Sequence, residues 1–190
     1  MDIILISDSL ESTQPLLRVA ASSDYRILKL IESNDDVSQY INTLRPDVLI
    51  YISDEVDGPL LKQMRVVEKL RPTPIILFTR DSATESINAA VRAGVSTYVV
   101  DCYEPERLAS LISVAQARFA EQQRLREEIQ QTKNALSERK SIERAKGIIM
   151  KTKNLSEDQA YSALRKLAMN RNKRIGEISE QIISAAEVLV

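Results

Sequence analysis

Histidine and tryptophan are absent from this sequence, and cysteine occurs once, at Cys102. Without histidine the commonest zinc ligand and general base are missing, and a lone thiol excludes an internal disulfide and suits a reducing cytoplasm. Metal hydrolysis and Ser-His or Cys-His nucleophilic chemistry are therefore poor expectations, so the chain reads as a non-enzyme with no metal and no cofactor. No apolar run reaches the ~18 residues of a membrane span. The opening MDIILISDS lacks the basic n-region of a secretory signal, so a cytoplasmic protein is expected.

Glycine and proline are scarce too, and between Pro105 and Gly147 neither occurs. That stretch is built of good helix formers. In heptads with a at Leu108, Ala115, Gln122, Ile129 and Leu136 and d at Leu111, Arg118, Leu125 and Thr132, six of nine seam positions are apolar. The pattern predicts a connector and dimerisation helix, with a break near Gln122 and Gln123 as the alternative. Net charge is −1 overall but unevenly spread: residues 1–106 carry 10 basic and 17 acidic side chains, while 139–175 carry 11 and 3. An acidic domain joined to a basic one points to a polyanionic partner for the latter.

Before the long helix, five β-branched runs alternate with helical segments: Ile3–Ile6, Tyr25–Leu28, Val48–Ile52, Ile75–Phe78 and Thr97–Val100. Runs apolar on both faces and separated by helices describe a doubly wound (βα)5 unit with a parallel sheet. Gly94 is expected as the C-cap of a helix over 82–93. Any site in such a sheet lies beyond the carboxyl ends of the strands. There the chain presents Ser7, Asp8, Ile52, Asp54, Thr79, Arg80 and Asp101.

This order of elements resembles the receiver domain of two-component response regulators. The resemblance implies acidic residues after the first strand to hold Mg2+, a phosphorylatable Asp ending the third, Thr or Ser after the fourth and Lys after the fifth. Asp8 and Thr79 match. Ser7 stands at the first acidic position, Ile52 at the phosphoacceptor position and Asp101 at the lysine position. An isoleucine forms no acyl phosphate, and a lost carboxylate and ammonium weaken the hold on metal and phosphoryl group. The domain reads as a pseudo-receiver, with Asp54 a candidate substitute acceptor and Asp101, Tyr103 and Glu104 as candidates for a protein-docking surface.

Beyond the stalk, three helices are expected. The first ends near Lys151, with Ile142, Ala145, Ile149 and Met150 on one side. The second is capped by Ser156 with Gln159 and carries an inward stripe of Ala160, Ala163, Leu164, Leu167 and Ala168. The third runs from about Ile175, with Ile178, Ile182, Ile183 and Ala186 facing in. Arg144, Lys146, Lys151 and Lys153, then Arg165 and Lys166, then Arg171, Lys173 and Arg174 come from three segments that can converge on phosphates. Tyr161 offers a ring for an unpaired base.

The run ERAKGIIMKTKNLSEDQAYSALRKLAMNRNKRIGEISEQII resembles the ANTAR domain of bacterial transcription antiterminators, through Ala145, Gly147, Met150, Ala160, Leu164, Arg165 and Ala168. With the order of parts, RAGVSTYVV and ERKSIERAKG, nearly the whole chain resembles the NasT-like regulators of nitrate and nitrite assimilation. The resemblance implies binding to paired hairpins of nascent leader mRNA, read-through of a terminator, and control by a NasS-like nitrate/nitrite-sensing protein. The expected organisation is a pseudo-receiver over 1–106, a coiled-coil linker over 107–138 that dimerises, and an ANTAR RNA-binding domain over 139–190. A DNA-binding or phosphorylation-dependent response regulator is the alternative.

Overall fold

The computed structural model describes residues 1–21, 24–32, 35–101 and 105–188. Five strands, β1 (Asp2–Ser7), β2 (Arg26–Glu32), β3 (Val48–Ile52), β4 (Ile75–Thr79) and β5 (Thr97–Val100), pair in parallel in the order β2-β1-β3-β4-β5. Between them lie α1 (Leu10–Ala21), α2 (Val37–Leu44), α3 (Gly58–Leu70) and α4 (Thr84–Arg92). After a short 3-10 turn, α5 runs without interruption over Leu108–Lys153, so no break occurs at Gln122 and Gln123. It is followed by α6 (Glu157–Asn170) and α7 (Ile175–Val188). The chain divides into two compact units, Met1–Gln123 and Arg124–Val190.

In the first unit every residue of β3 and β4 is buried, as expected where helices cover both faces of a parallel sheet. Alternation along the strands sends Ile4, Ile6, Leu49, Tyr51, Ile75 and Leu77 to the face packed by Ile41, Met64, Val67 and Ala90 of α2 to α4. Ile3, Leu5, Ile50, Ile52, Ile76 and Phe78 go to the opposite face, against Leu16 of α1 and Leu108, Ile112 and Ala115 of α5. Leu108 and Ala115 are thus core residues of the first unit rather than seam positions for a second copy. The second strand extends to Glu32, four residues past the expected Leu28, because β2 is an edge strand where Lys29 and Glu32 tolerate solvent. Gly94 takes φ +106 directly after the C-cap of α4, a conformation that favours glycine.

In the second unit Ala145, Leu164, Ala168 and Ile178 form a small core with Ile142, Ile149, Leu167, Ile175, Ile182 and Ile183 around it. Ser156 and Gln159 form the capping box of α6: the Ser156 hydroxyl accepts from the Gln159 N–H (3.3 Å) and the Gln159 side chain from the Ser156 N–H (3.0 Å). Ala163, expected to face inward, is exposed. The core meets the Ala160-Leu164-Ala168 stripe, and position 163 turns past its edge.

Candidate nucleic-acid interface

The sites of the two units differ in what they leave available. At the carboxyl edge of the sheet, Ile52 is 2% exposed and belongs to the apolar cluster facing α1 and α5, so no acceptor stands at that position. The Ser7 hydroxyl is tied to Ser9, donating to its carbonyl at 2.8 Å. Asp8 accepts from Ser53 at 2.6 Å, a partner that no receiver pattern in the sequence indicates. Asp54 lies in the loop after β3 and pairs with Arg80 at 3.4 Å, both side chains largely in solvent. Thr79 donates to the Asp54 carbonyl (3.2 Å) and accepts from the Asp81 N–H (3.1 Å), while Tyr98 donates to the Asp81 carbonyl (2.8 Å).

Burial, then the negative charge of Asp81, raises the Tyr98 phenol above its ordinary value. Asp101 is exposed, at φ 51, its N–H held by the Thr79 carbonyl (3.1 Å). Of the residues at the positions that hold Mg2+ in a receiver, Asp8 keeps a carboxylate, engaged by Ser53, while Ser7 and Ile52 supply none. Cys102, Tyr103 and Glu104 lie outside the described residues.

The second unit keeps most of its expected cations outward, Lys146 excepted. Lys151 and Lys153 close α5, Arg165 and Lys166 lie on α6, and Arg171, Lys173 and Arg174 occupy the turn before α7; all seven are exposed. The 14 residues of α6 separate the first group from the third by about 21 Å at ~1.5 Å per residue, with Arg165 and Lys166 between. Tyr161, Arg165 and Met169 follow one another at i, i+4 and i+8 on the side of α6 away from its buried stripe, Tyr161 being 44% and Met169 72% exposed. An exposed ring and thioether beside a guanidinium can stack on unpaired bases while neighbouring ammonium groups meet phosphates. Met169 is not recognisable from sequence as part of this face, because an apolar residue at helical spacing reads as core.

Three expected contacts are engaged within the protein, two of them with carboxylates. Arg144 pairs with Glu187 of α7 at 2.7 Å, in solvent. Lys146 is 7% exposed, with its ammonium 2.7 Å from Glu157 and 2.9 Å from Glu143. Hydrogen bonding to Glu157 and then to Glu143 raises the Lys146 pKa above the usual lysine value, and the same contact holds Glu157 below the usual glutamate value. Arg171 reaches Gln181 at 3.4 Å, and the Arg174 N–H donates to Glu177 at 3.1 Å, which caps α7.

A receiver-type sheet with Ile52 at the usual acceptor position is followed by a basic helical unit. Residues 130–183 match the family model described as "ANTAR domain". Over 124 residues the chain is 31% identical to the nitrate regulatory protein of Klebsiella oxytoca, a match covering 65% of this chain and 31% of that protein; the chain thus spans about a third of this relative. It is 22% identical over 181 residues to the transcriptional regulatory protein PdtaR of Mycobacterium tuberculosis, covering 95% of this chain and 88% of that one. The fold of the first unit is shared with the signal receiver domain of a modulated diguanylate cyclase from Desulfovibrio desulfuricans. That comparison has a TM-score of 0.55 and 17% identity, and covers 64% of this chain and 97% of that one. Residues 130–183 are thus matched to the ANTAR domain, and the chain as a whole is similar to regulatory proteins.

Proposed function

We propose that this regulator binds RNA: its C-terminal unit grips paired hairpins in nascent leader mRNA, and the complex promotes read-through of a nitrate/nitrite-assimilation operon. The observation that carries the reading is the exposed Tyr161-Arg165-Met169 face of α6, flanked by Lys151, Lys153, Lys166 and Lys173, none of which pairs with a carboxylate among the described residues. Aromatic and cationic groups interleaved along one helix suit single-stranded loops better than duplex grooves. The organisation proposed is a pseudo-receiver over 1–106, a linker over 107–138 and an RNA-binding domain over 139–190. The proposed setting is the cytoplasm, consistent with the absence of any membrane-spanning helix among the described residues.

Control is assigned to a nitrate/nitrite-sensing protein of the NasS type rather than to phosphorylation. Ile52 offers no acceptor, and Asp54 faces Arg80 in solvent. The homodimer is assigned to the exposed seam Leu125, Ile129, Thr132 and Leu136. Glu128 and Lys133 flank it at g and e, so two parallel helices set opposite charges against each other, whereas antiparallel ones would oppose like charges.

Arg165→Ala with Lys166→Ala should weaken binding to a two-hairpin leader RNA, leave helicity unchanged and lower the salt slope by about one to two units. An unchanged slope moves the RNA site elsewhere. Duplex DNA competing as well as hairpin RNA would replace this reading with a DNA-binding one.

A further inference from the structure

The polar tie between α5 and the first turn of α6 is one buried ammonium. Lys146 lies beside Gly147 on α5, its Nζ between Glu143 of the same helix and Glu157, the first residue of α6. Both carboxylates are more than half exposed, so the lysine is the group withdrawn from water. Burying an ammonium is unfavourable unless it is paired, and an apolar side chain of similar size often packs as well; such pairs earn retention by fixing a geometry more than by adding stability. The remaining bonds at this joint are local. Asn154 sits at φ 52, the Leu155 N–H donates to the Met150 carbonyl at 3.3 Å, and Ser156 and Gln159 cap α6. They set the path of the turn, whereas Lys146 reaches across it to α6 itself.

We propose that Lys146 is a positioning residue for RNA recognition: with Glu157 it holds α6 so that Tyr161, Arg165 and Met169 present one reading face, and it touches no phosphate. This rests on the RNA-binding reading above, and it divides the basic residues of the unit into those that contact the ligand and one that aims them. The charge on Lys146 is satisfied inside the protein by Glu143 and Glu157, so it releases no counterion when RNA binds.

The test uses the full chain and, as probe, a fluorescein-labelled two-hairpin RNA recovered from host transcripts with the wild-type protein. Lys146→Met should weaken binding about tenfold at a temperature where the variant is folded, with the salt slope unchanged. Glu157→Gln raises the net charge by one, which simple attraction to a polyanion would turn into tighter binding; positioning requires weaker binding instead. The double variant should be no worse than Lys146→Met alone. A slope lower by about 0.7 to 0.9 for Lys146→Met together with tighter binding by Glu157→Gln would make Lys146 a phosphate contact and overturn the proposal. Wild-type affinity in folded Lys146→Met would overturn it as well.

A second readout needs no RNA. Amide exchange at Gln159 and Ala160, in the first turn of α6, should accelerate several-fold in both single variants while Ile178 in α7 is unaffected. Unchanged exchange at Gln159 and Ala160 would refute the clamp. If the wild-type protein recovers no hairpin RNA, the proposed function fails, and the exchange measurement still decides whether Lys146 holds α6.

Discussion

Replacing Ile129 tests the proposed dimer most directly. Its side chain is 54% exposed in the single chain, and Leu125 and Leu136 are similarly open. Full burial of an isoleucine or leucine is worth about 1.5–3 kcal/mol, so roughly half of that, about 1 kcal/mol per side chain, remains to be gained against a partner. A two-fold dimer uses each position twice. Ile129→Ala should therefore cost about 2 kcal/mol of association, a rise of about thirtyfold in the dimer Kd, and the triple variant with Leu125→Ala and Leu136→Ala about 6 kcal/mol, enough to leave monomer at micromolar concentration. Alanine is the better helix former, so circular dichroism should show α5 intact. Sedimentation equilibrium gives the Kd. Orientation is read from charge: Glu128→Lys and Lys133→Glu should each weaken the dimer, by up to about 1 kcal/mol for each exposed pair, and together restore it. A triple variant that associates as tightly as wild type would refute the seam, and failure of the charge swap to restore affinity would refute the parallel register.

Ile52→Asp restores a carboxylate at the acceptor position but places it on a buried apolar face, so it should destabilise the first unit by about 3 kcal/mol or more in chemical denaturation, without gaining mass on incubation with an acyl phosphate donor. The Tyr51 hydroxyl is fully buried in the middle of β3 with no hydrogen-bond partner among the described residues, and burial holds the phenol well above its ordinary pKa. Tyr51→Phe should therefore raise stability by about 1 kcal/mol; a loss of that size would show that the hydroxyl is satisfied. Glu157 has a lowered pKa, so its contribution to the second unit is complete above the ordinary glutamate range and disappears as pH falls through its folded value. Lys146 has a raised pKa, so its part holds below the ordinary lysine range and disappears as pH rises through its folded value. Thermal melts against pH should decline at both ends in wild type and decline less in Lys146→Met.

Legibility follows the strength of local signals. Strands β3 and β4 are readable because a strand covered on both faces is a continuous apolar run, and the capping box because Ser156 and Gln159 meet within four residues. The far half of β2 is not, since Lys29 and Glu32 on an edge strand resemble a solvated loop. Leu108 and Ala115 read as seam because a helix lying on a sheet and one lying on its twin repeat their apolar residues at nearly the same period. The burial of Lys146 depends on Glu157, eleven residues away across a turn, and no spacing rule within one helix predicts that pair. In sequence its charge therefore looks like one of the solvated ones.

The first unit ties together its own loops at the carboxyl edge of the sheet. Ile52 fills the core, Thr79 is occupied by the Asp54 carbonyl and the Asp81 N–H, and Tyr98 is held on Asp81, so the loops after β3 and β4 and strand β5 are already joined by direct bonds. A ligand shifts a conformational equilibrium only through differential interaction with its two states, and at the usual acceptor position phosphate meets the buried side chain of Ile52. The proposed input is therefore contact with a sensor. Residues 1–106 are acidic, with 17 carboxylates against 10 cations, while residues 139–175 carry 11 cations against 3 carboxylates. A sensor that docks on the first through complementary charge would associate quickly and release as salt rises. Dependence of sensor release on ionic strength, with no dependence on a phosphoryl donor, is the behaviour the proposed control requires.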